Sequence, residues 1–235
     1  MKKEKSEKGI CCNSYHTNNI EIDCIIFCFE DKKLKVLLIK NENDVEHASW
    51  KLPSSILKEG ESILEAAQKI VKKHIPSDDF FLEQLKAFDY TSLLSFQYGI
   101  SIGCYAMITN NKRDFEEKEL HSDVAWVEIN DTAGLDKKHT IILDFGIKEL
   151  RKNMCCSALG FNLLPEKFTL LQIIQLYEEI LGIEINKTNF RRKILQRKLV
   201  RSLDEKEEGV SYRAPKFYSL NMSKYEMFWN MKFNF

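Results

Sequence analysis

Glycine and proline are scarce, 9 and 4 residues in a chain of 235, which excludes a collagen-like or linker-dominated polypeptide. No apolar run is long enough to span a bilayer. The charged start, residues 1–8, is not followed directly by a signal-like apolar core. Zinc-type spacing is missing too. The seven cysteines, at 11, 12, 24, 28, 104, 155 and 156, are odd in number and contain no CxxC. Neither a zinc site nor a disulfide framework is expected, and the chain reads as reduced and cytoplasmic. Net charge is also absent: 35 Lys plus Arg balance 35 Asp plus Glu. That excludes a uniformly basic nucleic-acid coat, but not a local basic patch. What is present is 44% apolar and 30% charged residues, enough to bury a core in one large domain or two modest ones.

The pattern divides the chain into four parts: a polar arm over 1–19, a domain over 20–157, a second over 158–222, and a tail over 223–235. Ile22 to Phe29 is a nearly continuous apolar run and Leu34 to Ile39 returns after the turn Glu30-Asp31-Lys32-Lys33, which predicts a hairpin. Residues 62–75 predict a helix, with Ser62 and Glu65 as a capping box, basic residues at its end and Pro76 as its stop. Strands are expected at 80–89, 97–108 and 124–129. A helix is expected at 140–152 with Ile141, Leu143, Phe145, Ile147 and Leu150 as its apolar positions. In the second domain Thr169 and Gln172 form another capping box, and apolar residues recur from Leu170 to Leu181 at helical spacing until Gly182. A turn at 183–186, a helix over about 187–198 and a hairpin from 199 to 220 follow. Helix, tight turn, helix, hairpin is the order of a winged helix-turn-helix.

Charge singles out one element. Between Ile185 and Leu203 lie Lys187, Arg191, Arg192, Lys193, Arg197, Lys198 and Arg201, with no acid among them. With Phe190, Ile194 and Leu195 facing the core, Asn189, Arg191, Arg192 and Lys193 stand near the helix start, where a recognition helix meets base edges and phosphates. Lys187, Arg197 and Lys198 extend the basic surface, and Arg213 and Lys216 are expected to contact phosphate from the wing. The other reading is a solvated basic face on an ordinary helix.

Residues 50–76 resemble a Nudix box, the strand–loop–helix signature of pyrophosphohydrolases, in Leu52-Pro53, Glu59-Gly60-Glu61-Ser62 and Leu64-Glu65-Ala66-Ala67. Its chemical positions do not match. Ser55 and Pro76 replace glycines, Lys69 replaces the arginine, and Ile70, Lys73 and His74 replace three glutamates. An apolar side chain, an ammonium and an imidazole cannot supply the oxygen shell that Mg²⁺ requires. No catalytic residue, metal or cofactor is therefore assigned. Glu61 survives at a spacing that also suits a loop-to-helix hydrogen bond.

From about residue 20 to 220 the chain resembles the Nudix-related transcriptional regulators of the NrtR and AraR type. The matching stretches include Asp23-Cys24-Ile25-Ile26-Phe27, Leu82-Glu83-Gln84-Leu85, Phe161-Asn162-Leu163-Leu164-Pro165, Phe168-Thr169-Leu170 and Asn189-Phe190-Arg191-Arg192-Lys193-Ile194. The resemblance implies an α+β chain, a Nudix-fold mixed sheet with flanking helices followed by a C-terminal winged helix-turn-helix. It also implies a homodimer on double-stranded operator DNA, and a small-molecule effector, a sugar or nucleotide-sugar, bound rather than hydrolysed. Trp50, Lys51, Lys69 and Lys73 are the candidate effector contacts; each also reads as a half-buried tryptophan or a solvated lysine. The family's Gly-Gly-Phe is Ser54-Ser55-Ile56 here, and its arginine- and aspartate-rich loop is replaced by residues 89–95. A divergent hydrolase with an accessory module and a purely protein-binding Nudix fold are the competing classes. The missing carboxylates oppose the first and the basic helix opposes the second.

Overall fold

The computed structural model describes residues 20–41, 49–91, 98–109, 123–206 and 215–221. Its first domain is a mixed sheet between two helices. Strand β1 (Ile20–Glu30) and β2 (Lys33–Lys40) form the expected hairpin, and Asp31 and Lys32 both take positive φ, 51° and 65°, in the two-residue turn between them. Short strands β3 (Trp50–Lys51) and β4 (Ser54–Ile56) precede helix α1 (Ile63–His74). Strands β5 (Phe81–Thr91), β6 (Tyr98–Ile108) and β7 (Val124–Glu128) and helix α2 (Lys137–Cys156) complete the domain. The strand order is β3-β2-β1-β6-β5, with β4 also on β1 and β7 on β2. β1 is parallel to β6 and antiparallel to β2 and β4, so the sheet is mixed.

The apolar run of β1 is continuous because both its faces are covered. Ile22, Cys24, Ile26 and Cys28 face α1, together with Ala66, Ala67, Ile70 and Val71 of that helix. Ile25, Phe27 and Phe29 alternate to the other side, against Ile142, Leu143, Leu150 and Met154 of α2. The Ser62 capping box is formed in both directions.

Helix α2 departs from the sequence expectation. It starts at Lys137, capped by Asp136, whose carboxylate accepts from the His139 N–H at 2.9 Å. Its first turn carries two lysines and a histidine, so apolar periodicity could not reveal it. The apolar phase also differs: Ile141 is 52% exposed, while Ile142 is fully buried. Gly146 permits the closest approach to the sheet, since a Cβ there would lie 2.2 Å from Cδ1 of Ile25.

A short 3-10 helix (Leu159–Leu163) and β8 (Phe168–Thr169) lead into the second domain, with α3 (Leu170–Leu181), α4 (Lys187–Gln196), β9 (Val200–Lys206) and β10 (Lys216–Leu220). The strands order as β8-β10-β9. Thr169 makes its capping box with Gln172, and Gly182 ends α3 in the left-handed conformation at φ 66°. Its core is continuous with the α2 side of the first domain, running through Phe161, Phe168, Ile173, Tyr177, Phe190 and Tyr218. No helix among the described residues is long and apolar enough to cross a membrane.

Candidate nucleic-acid interface

Helix α4 is placed by two apolar side chains one turn apart. Phe190 is 5% and Ile194 2% exposed, and the Phe190 ring lies 5.8 Å from that of Tyr177 on α3. Leu195, expected in the core, is instead 39% exposed. It lies one residue beyond the buried pair, outside the narrow stripe that a 10-residue helix buries. The turn before α4 is ordered by Glu178, whose carboxylate accepts from the Ile185 N–H at 3.0 Å. Asn186 caps α4 by accepting from the Asn189 N–H at 2.9 Å.

These constraints leave Lys187, Arg191 and Arg192 exposed, with Asn189 and Lys193 partly buried beside them. The guanidinium of Arg192 donates to the Asn189 side chain at 3.0 Å. That bond holds the fork in one orientation, which a bidentate contact to a guanine edge or a phosphate needs. The helix is shorter than expected and ends at Gln196. Arg197 is its C-cap and Lys198 turns away in the left-handed region at φ 55°. Lys198 stays exposed there, Arg197 is partly buried, and Lys216 stands exposed at the start of β10. Arg213 lies outside the described residues.

The four candidate effector contacts do not converge on one hollow. Trp50 is half-buried against the α2-side core, and Lys51, partly buried, pairs with Ile39 across the sheet. Lys69 and Lys73 are exposed residues of α1, on the opposite side of the sheet. Lys69 lines an open depression of about 360 Å³ with Lys58, Glu59, Gly60, Glu61 and Glu65. Its ammonium is 2.6 Å from Glu61, whose other oxygen accepts from the Lys58 N–H at 3.2 Å. The loop-to-helix bond read from the spacing of Glu61 is thus present, and the Lys69 hydrogen bond holds its carboxyl below the usual range. Of the three former glutamate positions, Ile70 is buried against the sheet, Lys73 is exposed, and His74 is half-buried and pushed down by burial and Lys73. Among the described residues no group of three side chains is arranged to hold a metal ion.

A second polar cluster was not legible in the sequence. Asp23 sits fully buried inside the apolar run of β1. Its carboxylate accepts from the Ser101 hydroxyl of β6 and lies 3.0 Å from the Lys138 ammonium and 3.4 Å from Nδ1 of His139. Lys138 also reaches Glu21 at 2.8 Å, and Glu21 accepts from the Tyr90 hydroxyl at 3.1 Å. Burial raises Asp23 to about 6 against the opposing pull of Lys138, and burial with Lys138 lowers His139 to about 3. Only strand alternation carried any signal, since Glu21 and Asp23 fall on one face of β1 two residues apart.

Residues 160–220 match the model of the NrtR DNA-binding winged helix domain. Over 219 residues, 91% of this chain and 86% of the relative, the sequence is 24% identical to the ADPR responsive transcriptional repressor NtrR of Acinetobacter baylyi. The fold is similar to that of Shewanella oneidensis NrtR complexed with a 27mer DNA, with TM-score 0.77, 22% identity, and 88% of this chain and 95% of that one covered. A MutT/nudix family protein from Enterococcus faecalis is also similar, with TM-score 0.67, 19% identity, and 88% and 89% covered. The chain is thus similar, over most of its length, to the NrtR-type regulators, a Nudix-like domain joined to a winged helix-turn-helix.

Proposed function

We propose that this chain is a transcriptional regulator that binds operator DNA through α4 and senses a nucleotide-sugar of the ADP-ribose class with its Nudix-like domain, without hydrolysing it. The observation that carries the reading is the exposed, Asn189-oriented basic start of α4 within a segment matching the NrtR DNA-binding domain. The effector class follows the ADPR-responsive relative. Loss of hydrolysis follows from Ile70, Lys73 and His74, which provide no carboxylate for a divalent cation. The protein acts in the cytoplasm as a homodimer, whose two recognition helices meet half-sites about one DNA turn apart.

The test begins by selecting a binding duplex from random sequence. Titration of the complex with ADP-ribose is expected to change DNA affinity roughly five-fold or more, and the duplex to change ADP-ribose affinity by the same factor. No selection above a random duplex would sink the DNA assignment. Tight ADP-ribose binding with unchanged DNA affinity would sink the effector assignment. Incubation of ADP-ribose with Mg²⁺ or Mn²⁺ is expected to leave it intact. Turnover that persists through purification and disappears in Glu61→Gln would make the chain an enzyme.

A further inference from the structure

The polar cluster beneath the first turn of α2 is unexplained by DNA binding or by the remnant of the Nudix box. Asp23 and His139 are 0% and 3% exposed, and the atoms that face each other, Asp23 Oδ1 and His139 Nδ1, make no hydrogen bond. Taking a carboxylate and an ammonium out of water costs free energy that apolar residues of similar size would not. What such a pair supplies instead is one defined position, because an ammonium out of register with two carboxylates loses its compensation. Among the described residues the cluster meets solvent at its rim, where the side chains of Glu21 and Lys138 are 24% and 15% exposed and the ammonium lies 4.8 Å over the Tyr90 ring.

The far end of α2 is equally specific. Asn153 donates to the Tyr105 hydroxyl of β6 at 3.2 Å. Arg151 donates through Nε to the Ile180 carbonyl at 2.7 Å, in the last turn of α3. Helix α3 in turn carries Tyr177, against which Phe190 of α4 packs. One helix of 20 residues, about 30 Å long at 1.5 Å per residue, therefore touches the buried charges at one end and the support of the recognition helix at the other.

We infer that Asp23, Ser101 and Lys138 form a latch that sets the position of α2 on the sheet, and that α2 delivers that position to α3 and α4. The latch makes the rim at Glu21, Tyr90 and Lys138 the end of the sensor domain from which the DNA-binding domain is regulated. Its consequence for DNA rests on the proposed function; the mechanical coupling does not.

Hydrogen exchange on the DNA-free full chain tests the coupling. Lys138→Met removes the ammonium and keeps the stem, and Ser101→Ala is the milder variant should the first not fold. Val71→Ala, buried on the α1 side away from α2, is the control at a matched loss of Tm. Lys138→Met is expected to speed exchange at 137–141 and, beyond the control, at 170–196. Faster exchange confined to 137–141, or equal at 170–196 in Val71→Ala, overturns the latch. In parallel, the variant's affinity for a duplex selected by the wild-type chain is expected to shift roughly five-fold. Coupled exchange in a chain that selects no duplex would support the latch and refute the DNA-binding reading, so the two failures are distinguishable.

Discussion

An alanine at position 146 asks how tightly α2 is seated on β1. Two effects oppose each other. Alanine in place of glycine within a helix gains about 1 kcal/mol of propensity. The added Cβ, however, would stand 2.2 Å from Cδ1 of Ile25, well inside contact distance, while the next neighbour, Leu85 Cδ1, is at an ordinary 3.5 Å. Ile25 is fully buried, so its methyl must rotate against a packed core, at a cost of about 1–3 kcal/mol. Gly146→Ala alone is therefore expected to be neutral to destabilising by about 2 kcal/mol. Ile25→Val removes only the clashing methyl and costs about 0.5–1.5 kcal/mol by itself. In that background the clash is gone, and Gly146→Ala should stabilise by about 1 kcal/mol. Urea unfolding of the four chains measures the cycle. A coupling of about 1–3 kcal/mol is expected, and additivity within about 0.5 kcal/mol would refute the account of α2 packing.

Further predictions concern helix α4 and the buried cluster. Arg192→Ala should cost about 1–3 kcal/mol in DNA binding and relax specificity at one base pair, and Asn189→Ala should reproduce part of that loss by freeing the guanidinium. Fluorescence anisotropy on selected duplexes reads both, and unchanged binding after joint alanine substitution of Arg191, Arg192 and Lys193 would end the assignment. Asp23, raised from 3.8 to about 6, contributes stability that is present below about pH 4 and lost as pH rises through 6. His139, lowered from 6.5 to about 3, contributes stability that is present above about pH 6.5 and lost as pH falls toward 3. The slopes oppose between about pH 4 and 6, so Asp23→Asn should leave stability rising with pH there and His139→Gln should leave it falling. Parallel pH profiles in wild type and both variants would contradict the cluster's electrostatics.

The domain order, both capping boxes and the basic helix α4 were legible because each rests on interactions between residues near in sequence. Ser62 with Glu65, Thr169 with Gln172, and Phe190 with Ile194 are three or four residues apart, where helical geometry alone decides who meets whom. The basic start of α4 was legible for a related reason, since charges excluded from an apolar face must stand outside it. The start of α2 was not legible, because its first turn is held by charged groups of β1 rather than by an apolar stripe of its own. The roles of Asp23 and His139 were hidden for the same reason: their neighbours lie 78 and 116 positions away along the chain, Ser101 from Asp23 and His139 from Asp23. Local periodicity dictates which residues turn inward. Which inward residues meet across the sheet depends on the parallel pairing of β1 with β6 and on the seat of α2 at Gly146, and only the tertiary fold brings those surfaces together.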